Sequence, residues 1–424
     1  NPCINDEQWR AVVSVLSGHG RPQPYILYGP AGTGKTLTLT ELILQVLKAR
    51  RREEEAGSED SSGRAHLPVL ACAATAFAAD ILCAALAAAG VGKGEMIRLN
   101  DIRRSAATAR QGVLPFCMTK TQKVKSKGRS GGVPPPSFCI DMPALWGASV
   151  VVASCASAAV LEPLVALGGG FDFIIIDEAA QALIPESLIP LSLASKNATV
   201  VLSGDPRQLG PNVRCRYSAA SRVLQNSLQL EWLLCSGPNA ATVCMLRRNY
   251  RSSAALLELP SRMFYNDALL AEADEAQTRP PEWEELAGED DGSVGGGGKR
   301  EMLFYGVMGQ QLAVDPMVPS WCNPLEALRC VELVKGMLHS VTSKAAGMGG
   351  GKALLLQEDV GVIAPFRKQA YELRRLLRAA DLGGVRCGTV DDFQGQEAQV
   401  IFISTTLTRV GSLRQEESGK ARAG

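Results

Sequence analysis

Residues 29–36 read Gly-Pro-Ala-Gly-Thr-Gly-Lys-Thr, a complete G-x-x-x-x-G-K-T pattern. The apolar run 25–28 precedes it, and a helical pattern over residues 37–47 follows. Glycines at 29, 32 and 34 let the backbone turn its N–H groups inward, through conformations that bulkier residues resist. Lys35 and the Thr36 hydroxyl then open a helix whose N-terminus carries partial positive charge. Strand, loop and helix in this order make a phosphate-binding unit, and such a unit belongs to a parallel α/β sheet. Gly29, Pro30, Ala31, Gly32, Thr33, Gly34, Lys35 and Thr36 are therefore candidate nucleotide contacts. Lys35 is expected on the β- and γ-phosphates, and Thr36 on Mg²⁺.

A loop of this kind needs carboxylates on a neighbouring strand. Residues 173–178, Phe-Ile-Ile-Ile-Asp-Glu, supply two at the end of an apolar run. Asp177 is placed to hold Mg²⁺ and Glu178 to polarise the attacking water. An acidic pair after a strand is common on its own. With the glycine-rich loop upstream it completes the machinery of an ATPase or GTPase.

Short apolar runs recur at 25–28, 69–72, 150–153, 173–176 and 199–202, separated by helix-length segments. That alternation predicts a parallel sheet covered on both faces. A second series follows at 302–305, 360–363, 388–390 and 400–403. The expected fold class is α/β, with two tandem P-loop domains, residues 1–238 and 239–424, joined near 236–239. Residues 50–65, 271–299 and 345–352 lack apolar periodicity and read as surface insertions. The basic cluster within 120–129 precedes three prolines and reads as a solvated loop, with contact to phosphate as the alternative.

Composition limits the partners. Lys+Arg 44 against Asp+Glu 43 leaves no global basic field, so any nucleic-acid surface must be local. The 12 cysteines form no C-x-x-C pair and only three histidines accompany them, which favours buried free thiols in a reducing compartment over a closed zinc site. Residues 143–161 are uncharged and long enough to span a bilayer. However, three consecutive valines end at Val152, Gly147 interrupts the run, and Glu162-Pro163 closes it. A buried strand followed by a small-residue helix is expected instead. The chain carries no signal-peptide pattern and reads as a soluble, cytoplasmic protein without a membrane partner.

At this point the motifs resemble superfamily 1 helicases, in the branch that holds the nonsense-mediated-decay helicase and the Armitage-type RNA-silencing helicases. The resemblance rests on Asn-Asp-Glu-Gln at 5–8, Asp-Glu-Ala-Ala-Gln-Ala at 177–182 and Gly-Asp-Pro-Arg-Gln-Leu-Gly-Pro at 204–211. It continues with Leu-Arg-Arg-Asn-Tyr-Arg at 246–251, residues 361–369, and Gly-Thr-Val-Asp-Asp-Phe-Gln-Gly-Gln-Glu at 388–397. Residues 304–309 and 320–326 look most like the Armitage-type group. The resemblance implies RecA-like domains, ATP with Mg²⁺ as cofactors, and single-stranded RNA as partner. It also implies residue roles: Gln8 reading adenine, Gln208 sensing the γ-phosphate, and Tyr250 stacking on the base. Arg251 would serve as an arginine finger supplied across a cleft, and Glu397 would bind the ribose. Thr75, Ser154, Pro211 and Thr389 would meet the nucleic-acid strand.

The chain also departs from that pattern. Where the family presents a Ser-Asn pair to the nucleic-acid backbone, this chain has Thr75 and Ala76, and Ala76 cannot donate. It ends at Gly424 before a last arginine-bearing motif and begins at the glutamine motif, so it reads as a fragment. The expectation is a monomeric ATP-dependent RNA helicase core that moves 5′-to-3′. A DNA helicase of the same superfamily and an ATP-gated RNA clamp with little hydrolysis are the alternatives.

Overall fold

The computed structural model describes residues 4–18, 20–55, 67–120, 137–211, 242–274, 301–315, 318–347, 355–393 and 395–407. The expected junction at 236–239, the basic cluster beyond Lys120 and most of the three insertions lie outside these residues. The chain divides into two compact units, Asn1–Arg251 with Ala268–Leu270, and Ser252–Asp267 with Ala271–Gly424.

In the first unit the strands are β1 (Tyr25–Tyr28), β2 (Val69–Ala73), β3 (Met96–Arg98), β4 (Thr119–Lys120), β5 (Ser137–Phe138), β6 (Val150–Ser154), β7 (Phe171–Asp177), β8 (Ala194–Gly204) and β9 (Val243–Met245). Seven of them form one sheet in the order β3-β6-β2-β7-β8-β1-β9. Every pairing in it is parallel. β4 and β5 make a separate antiparallel ladder. The apolar runs at 25–28, 69–72, 150–153, 173–176 and 199–202 all fall within sheet strands.

Side chains alternate between the two faces of a strand, and both faces of this sheet are buried. Val69, Ala71, Val150, Val152, Ile175 and Val201 share one apolar layer with Leu39, Ile43, Leu82 and Leu86. Those leucines and Ile43 come from the helices α2 (Lys35–Glu55) and α3 (Ala76–Ala88). Leu70, Cys72, Val151, Ile174, Ile176 and Leu202 form the opposite layer with Leu145, Leu161 and Leu164. The first helix, α1 (Asp6–Leu16), is fixed by a capping box: the Asn5 side chain accepts from the Gln8 N–H, and the Gln8 side chain accepts from the Asn5 N–H. The uncharged run 143–161 comprises the helix α4 (Met142–Gly147), the buried strand β6 and a 3₁₀ turn. Among the described residues, no helix is long and apolar enough to cross a membrane. Two further helices, α5 (Glu162–Gly168) and α6 (Ile184–Ser192), flank β7 in sequence.

β9 carries the first unit past the expected junction. It pairs with β1 in parallel, Leu27 opposite Cys244, and so joins residues 243–251 to the sheet that holds the glycine-rich loop. Two short strands follow, β10 (Arg248–Asn249) and β11 (Leu270–Ala271).

The second unit contains the helix α7 (Ala254–Phe264), an antiparallel pair β12 (Leu312–Asp315) and β13 (Val318–Cys322), and the helix α8 (Pro324–Gly347). The strand β14 (Val360–Ala364), the helix α9 (Arg367–Ala379) and the strands β15 (Arg386–Thr389) and β16 (Val400–Ile403) complete it. Its parallel sheet runs β15-β14-β16. Residues 302–305, expected as a strand, have no regular structure. Met302 and Phe304 are largely exposed, so the apolar run there finds no sheet face to bury against. Gln369 is fully buried and ties the unit together: its Oε1 accepts from Asn323 N–H at 2.8 Å, and its Nε2 donates to Ser404 Oγ at 2.9 Å. The Ser404 hydroxyl in turn donates to Glu326 at 2.8 Å.

One buried charge cluster braces the edge of the first sheet. Asp80 accepts from Arg98 Nε at 3.0 Å and from Arg104 Nη2 at 2.7 Å, with Asp80 and Arg98 fully enclosed. Arg98 also donates to Ala76 O at 3.0 Å, at the start of α3. Burial alone would raise the Asp80 carboxyl, but the hydrogen bonds and charges of Arg104 and Arg98 outweigh it and hold it below its ordinary value. Removing one partner strands the other charge in the interior. Asp80→Asn is therefore expected to cost roughly 3–5 kcal/mol of stability, measured by urea unfolding. Because the folded-state pKa lies below the unfolded one, Asp80 stabilises fully above about pH 4, and that contribution is lost as pH falls through the folded value. The acid limb of a stability-against-pH curve should flatten in the variant.

Candidate nucleotide site

The glycine-rich loop is held by hydrogen bonds to its carbonyls. Gly29 O and Pro30 O accept from the Lys35 ammonium at 2.8 and 3.2 Å, and Pro30 O also accepts from the Thr33 hydroxyl at 2.8 Å. Ala31 O accepts from Asn249 Nδ2 at 2.7 Å, Gly32 O from the Tyr250 N–H at 2.9 Å, and Thr33 O from Gln8 Nε2 at 3.1 Å. Gly34 O accepts from the Thr38 N–H and hydroxyl, both at 2.9 Å. With each carbonyl from 29 to 34 engaged, the N–H ends of these peptide groups, all but that of Pro30, which has none, are left for an anion. The helix N-terminus at Lys35 adds its partial positive charge.

Gly32 and Gly34 have φ of +83° and +81°. A Cβ on Gly32 would lie 2.6 Å from Arg251 Cβ, and one on Gly34 would collide with Gln8 Nε2. Glycine is thus required twice over, by the backbone conformation and by close approach of the neighbouring segments.

The Thr36 hydroxyl donates to Asp177 Oδ2 at 3.0 Å, which brings together the two residues expected on Mg²⁺. Asp177 ends β7 and is nearly fully buried; its Oδ1 accepts from the Glu178 N–H at 2.9 Å. Glu178 takes a left-handed conformation, φ +51°, and its carboxylate accepts from Gln181 Nε2 at 3.0 Å. Burial first, then the charges of Asp177 and Asp205, push the Glu178 carboxyl above its ordinary value, while Lys35 and Arg251 pull it back. Asp205 accepts from Gln208 Nε2 at 2.9 Å and from the Arg207 N–H at 3.0 Å. Gln208 is therefore oriented by a carboxylate that also acts electrostatically on Glu178. A hydroxyl and a carboxylate in contact are hard oxygen ligands, and they fit a Mg²⁺ ion held with a triphosphate.

The sequence did not announce how Gln8 and residues 247–251 would be held. The Gln8 amide oxygen is committed to the capping box and its amide nitrogen to Thr33 O, so Gln8 braces the loop directly. Asn5 Nδ2 donates to the Tyr250 hydroxyl at 2.8 Å. Glu7 accepts from Arg247 Nη2 at 2.6 Å and from the Arg247 N–H at 3.1 Å. The Asn249 side chain accepts from the Arg251 N–H at 2.9 Å while bonding Ala31. Tyr250 and Arg251 belong to the first unit. The Asn-x-x-Gln spacing at 5–8 is a legible capping signal; the ties of Asn5, Glu7 and Asn249 to this segment join residues more than two hundred positions apart and carry none.

The expected nucleic-acid residues divide between the units. Thr75 caps α3, its hydroxyl accepting from the Ala78 N–H at 3.1 Å, and it is exposed at the carboxyl end of β2. The neighbouring strand β6 ends at Ser154, in register with Ala73, and the Ser154 hydroxyl donates to Ser157 Oγ at 2.8 Å. Pro211 is partly exposed. In the second unit Thr389 ends β15; its N–H donates to Asp392 Oδ2 at 2.9 Å. Glu397 is exposed there.

A family model described as an AAA domain matches residues 3–131 and 142–215, and a second of the same description matches residues 224–419. RNA helicase Mov10l1 of Mus musculus is 35% identical over 425 residues, covering 96% of this chain and 31% of that protein. The Homo sapiens protein of the same name is 34% identical over 423 residues, covering 96% and 30%. The Drosophila melanogaster protein named "Probable RNA helicase armi" is 27% identical over 448 residues, covering 98% and 34%. The chain thus spans about a third of the length of these relatives.

The close approach at Gly32 gives a direct check. Gly32→Ala places a side chain at positive φ, at about 1–3 kcal/mol, and also drives it into Arg251. The variant is expected to fold but to bind a fluorescent ATP analogue at least roughly tenfold more weakly, as 1.4 kcal/mol per decade requires. Unchanged binding would mean the loop does not receive phosphate.

Proposed function

We propose, from the premise that this chain belongs to the superfamily 1 helicases in their Armitage-type branch, that it is the core of an ATP-dependent RNA helicase. The observation that carries the reading is the contact between Thr36 and Asp177, with Glu178 beside it and the carbonyl-pinned loop above. Thr36 and Asp177 would hold Mg²⁺. The ion, when bound with ATP, supplies charge neutralisation on the phosphate oxygens.

The chain's own residues do the rest. The loop N–H groups and Lys35 bind and orient the triphosphate. Glu178 orients the attacking water and takes its proton, and its raised pKa suits a base. Arg251, held beside Gly32, adds positive charge at the phosphates, and Gln208, oriented by Asp205, reports phosphate occupancy to the strand-binding surface. By resemblance Tyr250 is assigned to the base and Glu397 to the ribose, while Gln8, assigned to adenine by the same resemblance, has both ends of its amide engaged within the chain and braces the loop instead. Thr75, Ser154, Pro211 and Thr389 would track the strand through its phosphates and sugars.

RNA is preferred over DNA because the relatives named above are called RNA helicases. On resemblance alone rest 5′-to-3′ movement and a part in RNA silencing; a monomeric motor and a cytoplasmic or nuclear place of work go with that reading. The DNA-helicase and clamp readings predict different turnover, so one measurement separates them.

That measurement is steady-state ATP turnover of the chain alone, with single-stranded RNA and with single-stranded DNA of the same sequence. RNA is expected to stimulate turnover more than DNA. Glu178→Gln is expected to lower the stimulated rate by about 10²–10⁴-fold, the usual worth of a positioned general base. Stimulation by DNA alone would favour the DNA helicase; strand binding without turnover would favour the clamp.

A further inference from the structure

We propose that Phe77, with Arg110 above it, is a stacking platform for a base of the bound single strand. The inference rests on the reading above, and adds to it a contact that the family motifs do not supply here. Phe77 lies in the first turn of α3, two residues beyond Thr75, at the carboxyl end of β2. Its side chain keeps 39% of its surface exposed, an unusual position for a phenylalanine at the end of a sheet so thoroughly buried elsewhere. The Arg110 guanidinium lies 6.0 Å from the ring centroid, within cation–π range. Arg110 is itself exposed and makes no ion pair with a described residue.

The polar groups around Phe77 explain why a ring is useful there. Ala76 offers no side-chain donor, and its carbonyl is taken by Arg98. The Thr75 hydroxyl already accepts from the Ala78 N–H and keeps only its own proton to give. Among the side chains at this turn only the Thr75 hydroxyl keeps a proton to give, and a strand arriving there meets an aromatic face and a cation. Base–aromatic stacking tolerates any sequence, which is what a translocating strand requires, and the guanidinium provides for the adjoining phosphate. Ser154 and Ser157, at the end of the adjacent strand β6, extend the same edge with hydroxyls. A purely structural account, in which the Arg110 stem merely covers a surface ring, makes no demand on the bases of a ligand.

The experiment compares binding of a short fluorescein-labelled single-stranded oligouridylate with binding of the same strand made abasic, for wild type, Phe77→Leu and Phe77→Tyr. Leucine keeps the apolar bulk and loses the ring; tyrosine keeps both. Fluorescent-ATP binding confirms that each variant retains the nucleotide site, which Phe77 does not touch. Phe77→Leu is expected to weaken oligouridylate binding by roughly 5- to 10-fold, with little loss on the abasic strand and little loss in Phe77→Tyr. Arg110→Gln is expected to make the log–log salt dependence shallower by roughly 0.7, one phosphate's share for a single strand. Equal affinities of wild type and Phe77→Leu, or equal losses on normal and abasic strands, would overturn the platform while leaving the helicase reading intact. Failure of the wild-type chain to bind either strand would overturn both.

Discussion

The hydrogen bonding of carbonyls 29–34 is the constraint on which the rest of the first unit depends. A peptide group has a donor end and an acceptor end, and fixing one directs the other. The donors that fix them come from Lys35, Thr33 and Thr38 within the loop and its helix, from Gln8 on α1, and from Asn249 and Tyr250 after β9. Much of the surrounding architecture follows from delivering those donors. α1 must be capped at Asn5 so that Gln8 faces the loop, and β9 must add to the edge of the sheet so that Asn249 arrives beside Ala31. The glycines at 32 and 34 are the complement of this arrangement, since any Cβ would expel the groups doing the pinning.

Electrostatics separate two buried carboxylates in the same unit by what lies around them. Both Asp80 and Glu178 are raised by burial. At Asp80 two guanidinium groups donate directly to the oxygens and the net effect is downward. At Glu178 the nearest charges are Asp177 and Asp205, and Lys35 and Arg251 act only through space, so the net effect is upward. A carboxyl held low by direct ion pairs is a fixture that holds sheet and helix together. A carboxyl held high beside another carboxylate lies where the proposed function places its general base.

What was legible in the sequence was what is local. The glycine-rich loop, the Asp177-Glu178 pair and the apolar strand runs each declare themselves within a few residues, because backbone conformation and strand burial are local demands. The uncharged run 143–161 was also readable, since its three consecutive valines are β-branched and β6 is buried through Ala153. The brace on Thr33, the reach of the first unit to Arg251 and the Asp80–Arg98 pair were not. Each depends on which strand lands beside which, and Asn249 bonds a residue 218 positions away. Residues 302–305 show the opposite error: an apolar run has the composition of a strand, yet strand formation needs a neighbouring edge, and composition does not reveal one.

The sheet also places the candidate Mg²⁺ residues and the candidate strand-binding residues a short distance apart along the chain. Ala73 of β2 is in register with Asp177 of β7, and the Ala74 N–H reaches Asp177 O at 3.4 Å. Thr75 follows directly. On the other side Ala73 is in register with Ser154, and the Cys155 N–H donates to Ala73 O at 2.9 Å. One backbone segment thus lies between the carboxylate that touches Thr36 and the edge that carries Thr75, Phe77 and Ser154. Below that segment the Asp80–Arg98–Arg104 cluster holds the start of α3 through Ala76 O. A segment anchored on both flanks by backbone hydrogen bonds resists bending, so under the proposed function a shift at Asp177 would reach Thr75 with little absorbed by the turn. Coupling over so few residues would require no long relay through the interior, because the carboxyl edge of β2 already joins the two sets of residues.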